Sequence, residues 1–146
     1  MTYLLDINVL AALFDNSHVN HDAAHAWFGR TGSLSWATCP LTENGCVRVL
    51  SSPSYPTVLA TPTEILGRLA RFCALPGHVF WSDDISLATA LDTDTRARLQ
   101  GCQQVTDFYL AALAAHKTGG RLATFDGSFV RSVAGTPLES ALHLLR

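Results

Sequence analysis

The sequence predicts an α/β fold, a three-layer domain on a mostly parallel central sheet. Apolar runs of strand length alternate with longer helical stretches, several of those runs stop at an acid, and glycine or proline punctuates the junctions. No repeat, linker or low-complexity segment divides the chain, so its 146 residues read as a single domain, 1–146.

Tyr3-Leu4-Leu5 is the first strand and ends at Asp6, and Val9 to Phe14 continues as a helix. His21 to Phe28 is a second helical stretch closed by Gly29 and Gly32, and Leu34 to Ala37 is the second strand. Pro40, Leu41 and Thr42 open a helix running to Leu50, since proline suits a first helical turn, and Ser51 to Pro56 is loop. Thr63 is the expected cap of a helix reaching Phe72, which Pro76-Gly77 stops. His78 to Trp81 is the third strand and Ile85 to Leu91 a short helix, whereas the polar segment Asp92 to Gly101 takes no assignment. Thr106 then caps an apolar helix from Asp107 to Ala115, Gly119-Gly120 breaks it, and Leu122 to Phe125 is a strand ending at Asp126. Trp27, Phe28, Trp36, Phe80 and Trp81 are expected in the core.

Composition narrows the function. With 48% hydrophobic and 15% charged residues the chain is too apolar for disorder, and its apolar runs all fall short of a membrane span. Asp6 follows the N-terminus with no basic stretch before it, so no secretory signal is expected and the location is read as cytoplasmic. A net charge of −2 gives no global signature of nucleic-acid binding. The bases are nevertheless almost all arginine, which forks onto phosphates; Arg30, Arg48, Arg68, Arg71, Arg96, Arg98 and Arg121 are candidate contacts. The cysteines, Cys39, Cys46, Cys73 and Cys102, form no C-x-x-C pair and read as buried thiols.

Four acids carry the chemistry. Ligands of an open parallel sheet bind beyond the carboxyl ends of its strands, where Asp6 and Asp126 stand. Helical spacing puts Glu43 on one face with Cys46, Val47 and Leu50, and Asp107 with Leu110, Ala111 and Ala114, so both acids head inward-pointing stripes. Each alone is an ordinary acid of a strand end or first helical turn. Together they would repel one another unless a cation sat among them, and oxygen-only ligands select Mg²⁺ or Mn²⁺ over Zn²⁺. The chemistry such a centre suits is phosphodiester hydrolysis.

At these residues the sequence resembles the PIN-domain ribonucleases, and within them the VapC toxins of bacterial type II toxin–antitoxin pairs. Leu4-Leu5-Asp6-Ile7-Asn8-Val9-Leu10 is similar to the first family motif, Leu41-Thr42-Glu43-Asn44-Gly45 to the second, Val105-Thr106-Asp107-Phe108-Tyr109-Leu110-Ala111 to the third, and Leu122-Ala123-Thr124-Phe125-Asp126 to the fourth. His78 to Trp81 with Asp84 to Leu87 resembles a segment common in actinobacterial VapC toxins. The resemblance implies a PIN-like α/β/α fold and a Mg²⁺-dependent endoribonuclease that cuts RNA to inhibit translation and growth. It implies a homodimer restrained by a VapB-type antitoxin, with no membrane partner. It also implies roles: Asp6 and Asp107 as metal ligands, Glu43 and Asp126 completing the acidic pocket, and Asn8, Thr106 and Thr124 as polar donors that orient the ligands. Alternatives are a housekeeping PIN nuclease of RNA maturation or DNA repair, and a PIN-like module that binds RNA or protein without cutting.

Other motifs are weaker. Asp92-Thr93-Asp94-Thr95 matches the D-x-D-x-T of haloacid-dehalogenase phosphatases but lacks the hydrophobic strand that must precede it. His21-Asp22-Ala23-Ala24-His25 approaches H-E-x-x-H, yet aspartate replaces the glutamate and no third ligand is evident, so it reads as a solvated helix face. Cys39 has no partner that would make it a nucleophile.

Overall fold

The computed structural model describes residues 1–146. Strands β1 (Thr2–Leu5), β2 (Trp36–Thr38), β3 (His78–Phe80), β4 (Gly120–Thr124) and β5 (Leu142–Leu144) form one all-parallel sheet in the order β3-β2-β1-β4-β5. The helices are α1 (Ile7–Phe14), α2 (His21–Arg30), α3 (Pro40–Leu50), α4 (Pro62–Cys73), α5 (Leu87–Ala90), α6 (Thr93–Arg98), α7 (Val105–His116) and α8 (Gly127–Ser132). None is long and apolar enough to cross a membrane.

Strand alternation sorts the side chains into two cores and so makes the three layers. Tyr3, Leu5, Trp36 and Ala123 pack with residues of α1 to α4, while Leu4, Ala37, Leu122 and Leu142 pack with α7 and α8. Leu4, Leu5 and Leu122 are fully enclosed, each worth about 1.5–3 kcal/mol of apolar burial.

The junction of α1 with α2 and α4 shows how local polarity is satisfied. The last carbonyls of a helix have no partner within it. Here His21 Nδ1 donates to Ala12 O at 2.8 Å, His25 Nε2 donates to Leu13 O at 3.0 Å, and Arg68 donates to Phe14 O. The two histidines, their tilted rings 4.3 Å apart, thus close the end of α1, while Asp22 and His25 remain exposed, as expected of a solvated helix face. Just beyond, buried Asp15 accepts from Ser17 N–H, Tyr55 Oη–H and the Thr57 hydroxyl, which ties the loop before α4 to α1. Burial by itself would raise this carboxyl, but those bonds outweigh it and hold Asp15 below the ordinary carboxylate range.

Several boundaries differ from expectation. Thr61, not Thr63, caps α4 by accepting Glu64 N–H at 3.2 Å, because Pro62 takes the first helical position. A 3₁₀ turn over Cys102–Gln104 leads directly into α7, so Thr106 lies inside its first turn and caps nothing. Gly29 sits within α2. Asp92 to Gly101 holds α6, capped by the Asp92 carboxylate on Thr95 N–H at 2.8 Å. Phe80 is 53% exposed rather than core, since β3 is an edge strand.

Two glycines test this architecture in opposite directions. Gly77 has φ +88°, a Cβ there would lie 2.3 Å from Ser33 O, and its carbonyl pairs with Trp36 N–H to start the β2–β3 ladder. Gly29 has open space around its Cβ position. Gly77→Ala should lower stability by about 1–3 kcal/mol, whereas Gly29→Ala should leave it unchanged or raise it by up to about 1 kcal/mol. Denaturant titration of both variants checks the pair.

Candidate active site

The strand order reverses between β1 and β4: the chain moves from β1 outward through β2 to β3, then returns to the other side of β1. That switch point is where an open α/β sheet forms its crevice. Register sets Leu5 beside Ala123, so the residues immediately after them, Asp6 and Thr124, meet at the edge.

Thr124 is the hub. Its hydroxyl donates to Asp6 Oδ2 at 2.7 Å and accepts from Asn8 Nδ2 and from Asp126 N–H, each at 3.1 Å. The other Asp6 oxygen accepts Ile7 N–H at 2.7 Å and caps α1, and Asn8 Oδ1 accepts Phe125 N–H at 3.3 Å. Asp126 caps α8 through Oδ1 on Phe129 N–H at 2.9 Å, leaving its second oxygen without a protein donor. Asn8 and Thr124 thus fix the relative positions of the two strand-end acids.

Asp107 approaches from the first turn of α7. Burial, then the charges of Asp6 and Asp126, push its carboxyl up to about 7. Asp6 is only 4% exposed, and burial raises it too, against the hydrogen bonds from Thr124 and Ile7. The three aspartates therefore share one electrostatic neighbourhood. A cleft of about 610 Å³ borders Asp107 and Asp126, walled by Gln100 to Gln104 and Ser128. Thr106 makes no side-chain hydrogen bond to this group.

Glu43 stands apart. Its stripe does point inward, but into the layer of α1 and α4, where Cys46 and Leu50 are buried. Its Oε2 accepts the Thr38 hydroxyl at 2.6 Å, and Thr38 Oγ1 lies 2.8 Å from His78 Nε2. Since the hydroxyl has one hydrogen, committed to Glu43, the histidine ring donates to it. Cys73 Sγ is 3.9 Å from the same hydroxyl. The charge felt by Asp107 comes from Asp6 and Asp126, not from Glu43. Thr38 is not foreseen from the sequence, and His78 is foreseen only as the start of a strand; the one available signal is a threonine ending a buried strand.

Of the candidate arginines, Arg68, Arg96 and Arg98 bind main-chain carbonyls and are structural. Arg30, Arg48, Arg71 and Arg121 make no such bond. Three oxygen-bearing carboxylates in mutual repulsion beside an open cleft fit a hard divalent cation.

A family model described as PIN domain matches residues 3–134. Ribonuclease VapC39 of Mycobacterium tuberculosis is 44% identical over 139 residues, 95% of this chain and 99% of that protein. Ribonuclease VapC44 of the same organism is 42% identical over 145 residues, 99% of this chain and 98% of its own length. Ribonuclease VapC38 is 42% identical over 139 residues, 93% and 95% of the two chains. With a switch-point cluster of aspartates, an all-parallel sheet and this coverage, the chain belongs to the PIN-domain family.

Proposed function

We propose that the protein is a VapC-type endoribonuclease, the toxin of a toxin–antitoxin pair, and that residues 1–146 act as one domain. The observation that carries this reading is the convergence of Asp6, Asp107 and Asp126 at the switch point, beside an open cleft. The kinship with proteins named VapC ribonucleases supplies the substrate class. The partners that follow are RNA, a VapB-type antitoxin and a second copy of the chain, in the cytoplasm.

Asp6 and Asp107 hold Mg²⁺, with Mn²⁺ as substitute, and Asp126 completes the set. When bound, the cation supplies the Lewis acidity that polarises a phosphodiester and acidifies water. The protein's own contribution is orientation. Thr124 and Ile7 fix both Asp6 oxygens, so that carboxylate has one direction in which to offer its remaining lone pairs. Asp107 has no such donors and holds its proton near neutral pH until a cation offsets the charges of Asp6 and Asp126. Glu43 reaches the pocket as its fourth acid by turning away from Thr38.

Purified protein should cut RNA with Mg²⁺ or Mn²⁺ and stop on chelation. Asp6→Asn and Asp107→Asn should each reduce the rate by on the order of a hundredfold or more. Cleavage that survives chelation, or that Asp6→Asn preparations retain, sinks the assignment; RNA binding without cleavage points instead to a non-cutting module.

The metal-free protein should carry the cost of its own site. A carboxyl whose folded pKa is about 7, against about 3.9 unfolded, destabilises the fold fully above pH 7. That cost is relieved as pH falls from 7 toward 4. Metal-free Tm should therefore rise between pH 8 and pH 5.5, and Asp107→Asn should raise Tm at pH 8 by a few degrees and flatten the profile. Scanning calorimetry in chelator decides it: a lower Tm for Asp107→Asn makes the acid a structural anchor.

A further inference from the structure

Outside the aspartate cluster, one group of side chains has a donor set of a different kind. Glu43 on α3, Cys73 at the last residue of α4 and His78 at the start of β3 bring a carboxylate oxygen, a thiol sulfur and an imidazole nitrogen within 4.8 Å of one another. All three are half-buried. The imidazole is held by packing against Trp36, ring centres 4.6 Å apart, and the Thr38 hydroxyl lies between it and Glu43.

We propose that Glu43, Cys73 and His78 form a second metal site, selective for a borderline-soft ion of the Zn²⁺ class, whose occupation withholds Glu43 from the aspartate pocket. Sulfur and nitrogen ligands suit Zn²⁺ and are poor ones for Mg²⁺, so the two sites sort ions by donor chemistry. Zinc bonds of about 2.0–2.3 Å put tetrahedral ligands roughly 3.3–3.8 Å apart. Closing the group from its present spread needs side-chain shifts of about 1 Å, within reach of a cysteine at a helix end and a carboxylate on a flexible stem. The thiol proton leaves to solvent, the imidazole gives up its bond to Thr38 and passes that ring proton to its other nitrogen by way of solvent so that an unprotonated nitrogen binds, and the fourth position stays open to water. Of the three, Glu43 also lines a groove of about 790 Å³ between α3 and α4. Thr38 then serves as the outer partner that orients the bound carboxylate. Binding stands apart from the nuclease reading; the loss of cleavage rests on it.

Co²⁺ titration of the whole protein in excess Mg²⁺ tests the site without reference to activity. The wild type should develop a thiolate-to-cobalt charge-transfer band that saturates at one equivalent and is bleached by Zn²⁺. Cys73→Ser and Cys73→Ala should abolish the band, His78→Gln should weaken Co²⁺ binding roughly tenfold or more, and Cys102→Ser should leave it intact, Cys102 being the exposed thiol beside the aspartate cleft. No band at one equivalent, a band surviving in both Cys73 variants, or one lost in Cys102→Ser overturns the site. In RNA cleavage, one equivalent of Zn²⁺ should inhibit the wild type, and Cys73→Ser should need at least roughly tenfold more for the same effect. Equal sensitivity overturns the withholding of Glu43 while the cobalt result keeps the site; absence of cleavage in every form counts against the nuclease reading alone.

Discussion

Like charges gathered where a sheet cannot disperse them are the constraint on which this structure turns. Asp6, Asp107 and Asp126 come from three separated segments, and parallel topology leaves them no alternative to meeting, because β1 and β4 are neighbours and α7 packs over both. Their repulsion costs stability, and the network centred on Thr124 is what makes that cost bearable. One hydroxyl donates to Asp6, accepts from Asn8 and from the Asp126 amide, and thereby joins two strand ends through bonds that do not need a cation. Asp107, without such donors, has its carboxyl pushed up to about 7 by burial and then by the charges of Asp6 and Asp126. The arrangement is rigid at two acids and responsive at the third, a division that suits a site meant to receive an ion.

The same chain uses its cationic side chains sparingly and mostly for the fold. Three of the candidate phosphate contacts are committed to carbonyls, and the pair His21 and His25 closes the end of α1. This matters for the site because α1 begins at Asp6. A helix only eight residues long is marginal by itself, so anchoring its last carbonyls steadies the turn that presents the first acid.

Strand and helix alternation was legible because it rests on period and on Gly and Pro, which act locally. The parallel sheet, α1, α3, α7 and the strand before Asp126 all follow from such patterns. Elements with little apolar content escaped: α6 is polar and depends on the Asp92 cap, and β5 spans three residues whose identity as strand comes from pairing with β4. Among the acids, the spacing argument placed Asp107 on an inward stripe and could do the same for Glu43. It could not say into which of two layers each stripe points. That depends on which face of the sheet a helix packs against, a tertiary fact that no i, i+3, i+4 pattern encodes. Hence Glu43 lies among Thr38, Cys73 and His78 while the three aspartates share a neighbourhood at the β1–β4 edge.

That separation gives Glu43 two possible environments of contrasting chemistry. Toward the cleft it would join oxygen donors only; toward α4 it meets sulfur and nitrogen, with a hydroxyl bond already holding it at 2.6 Å. A side chain so placed couples the two sites, since whatever binds more tightly to one position draws it from the other, and the coupling must act equally in both directions. An ion that prefers thiolate and imidazole opposes one that prefers carboxylates without either touching the other's ligands apart from this glutamate. The coupling runs through a single side chain on the first turn of α3.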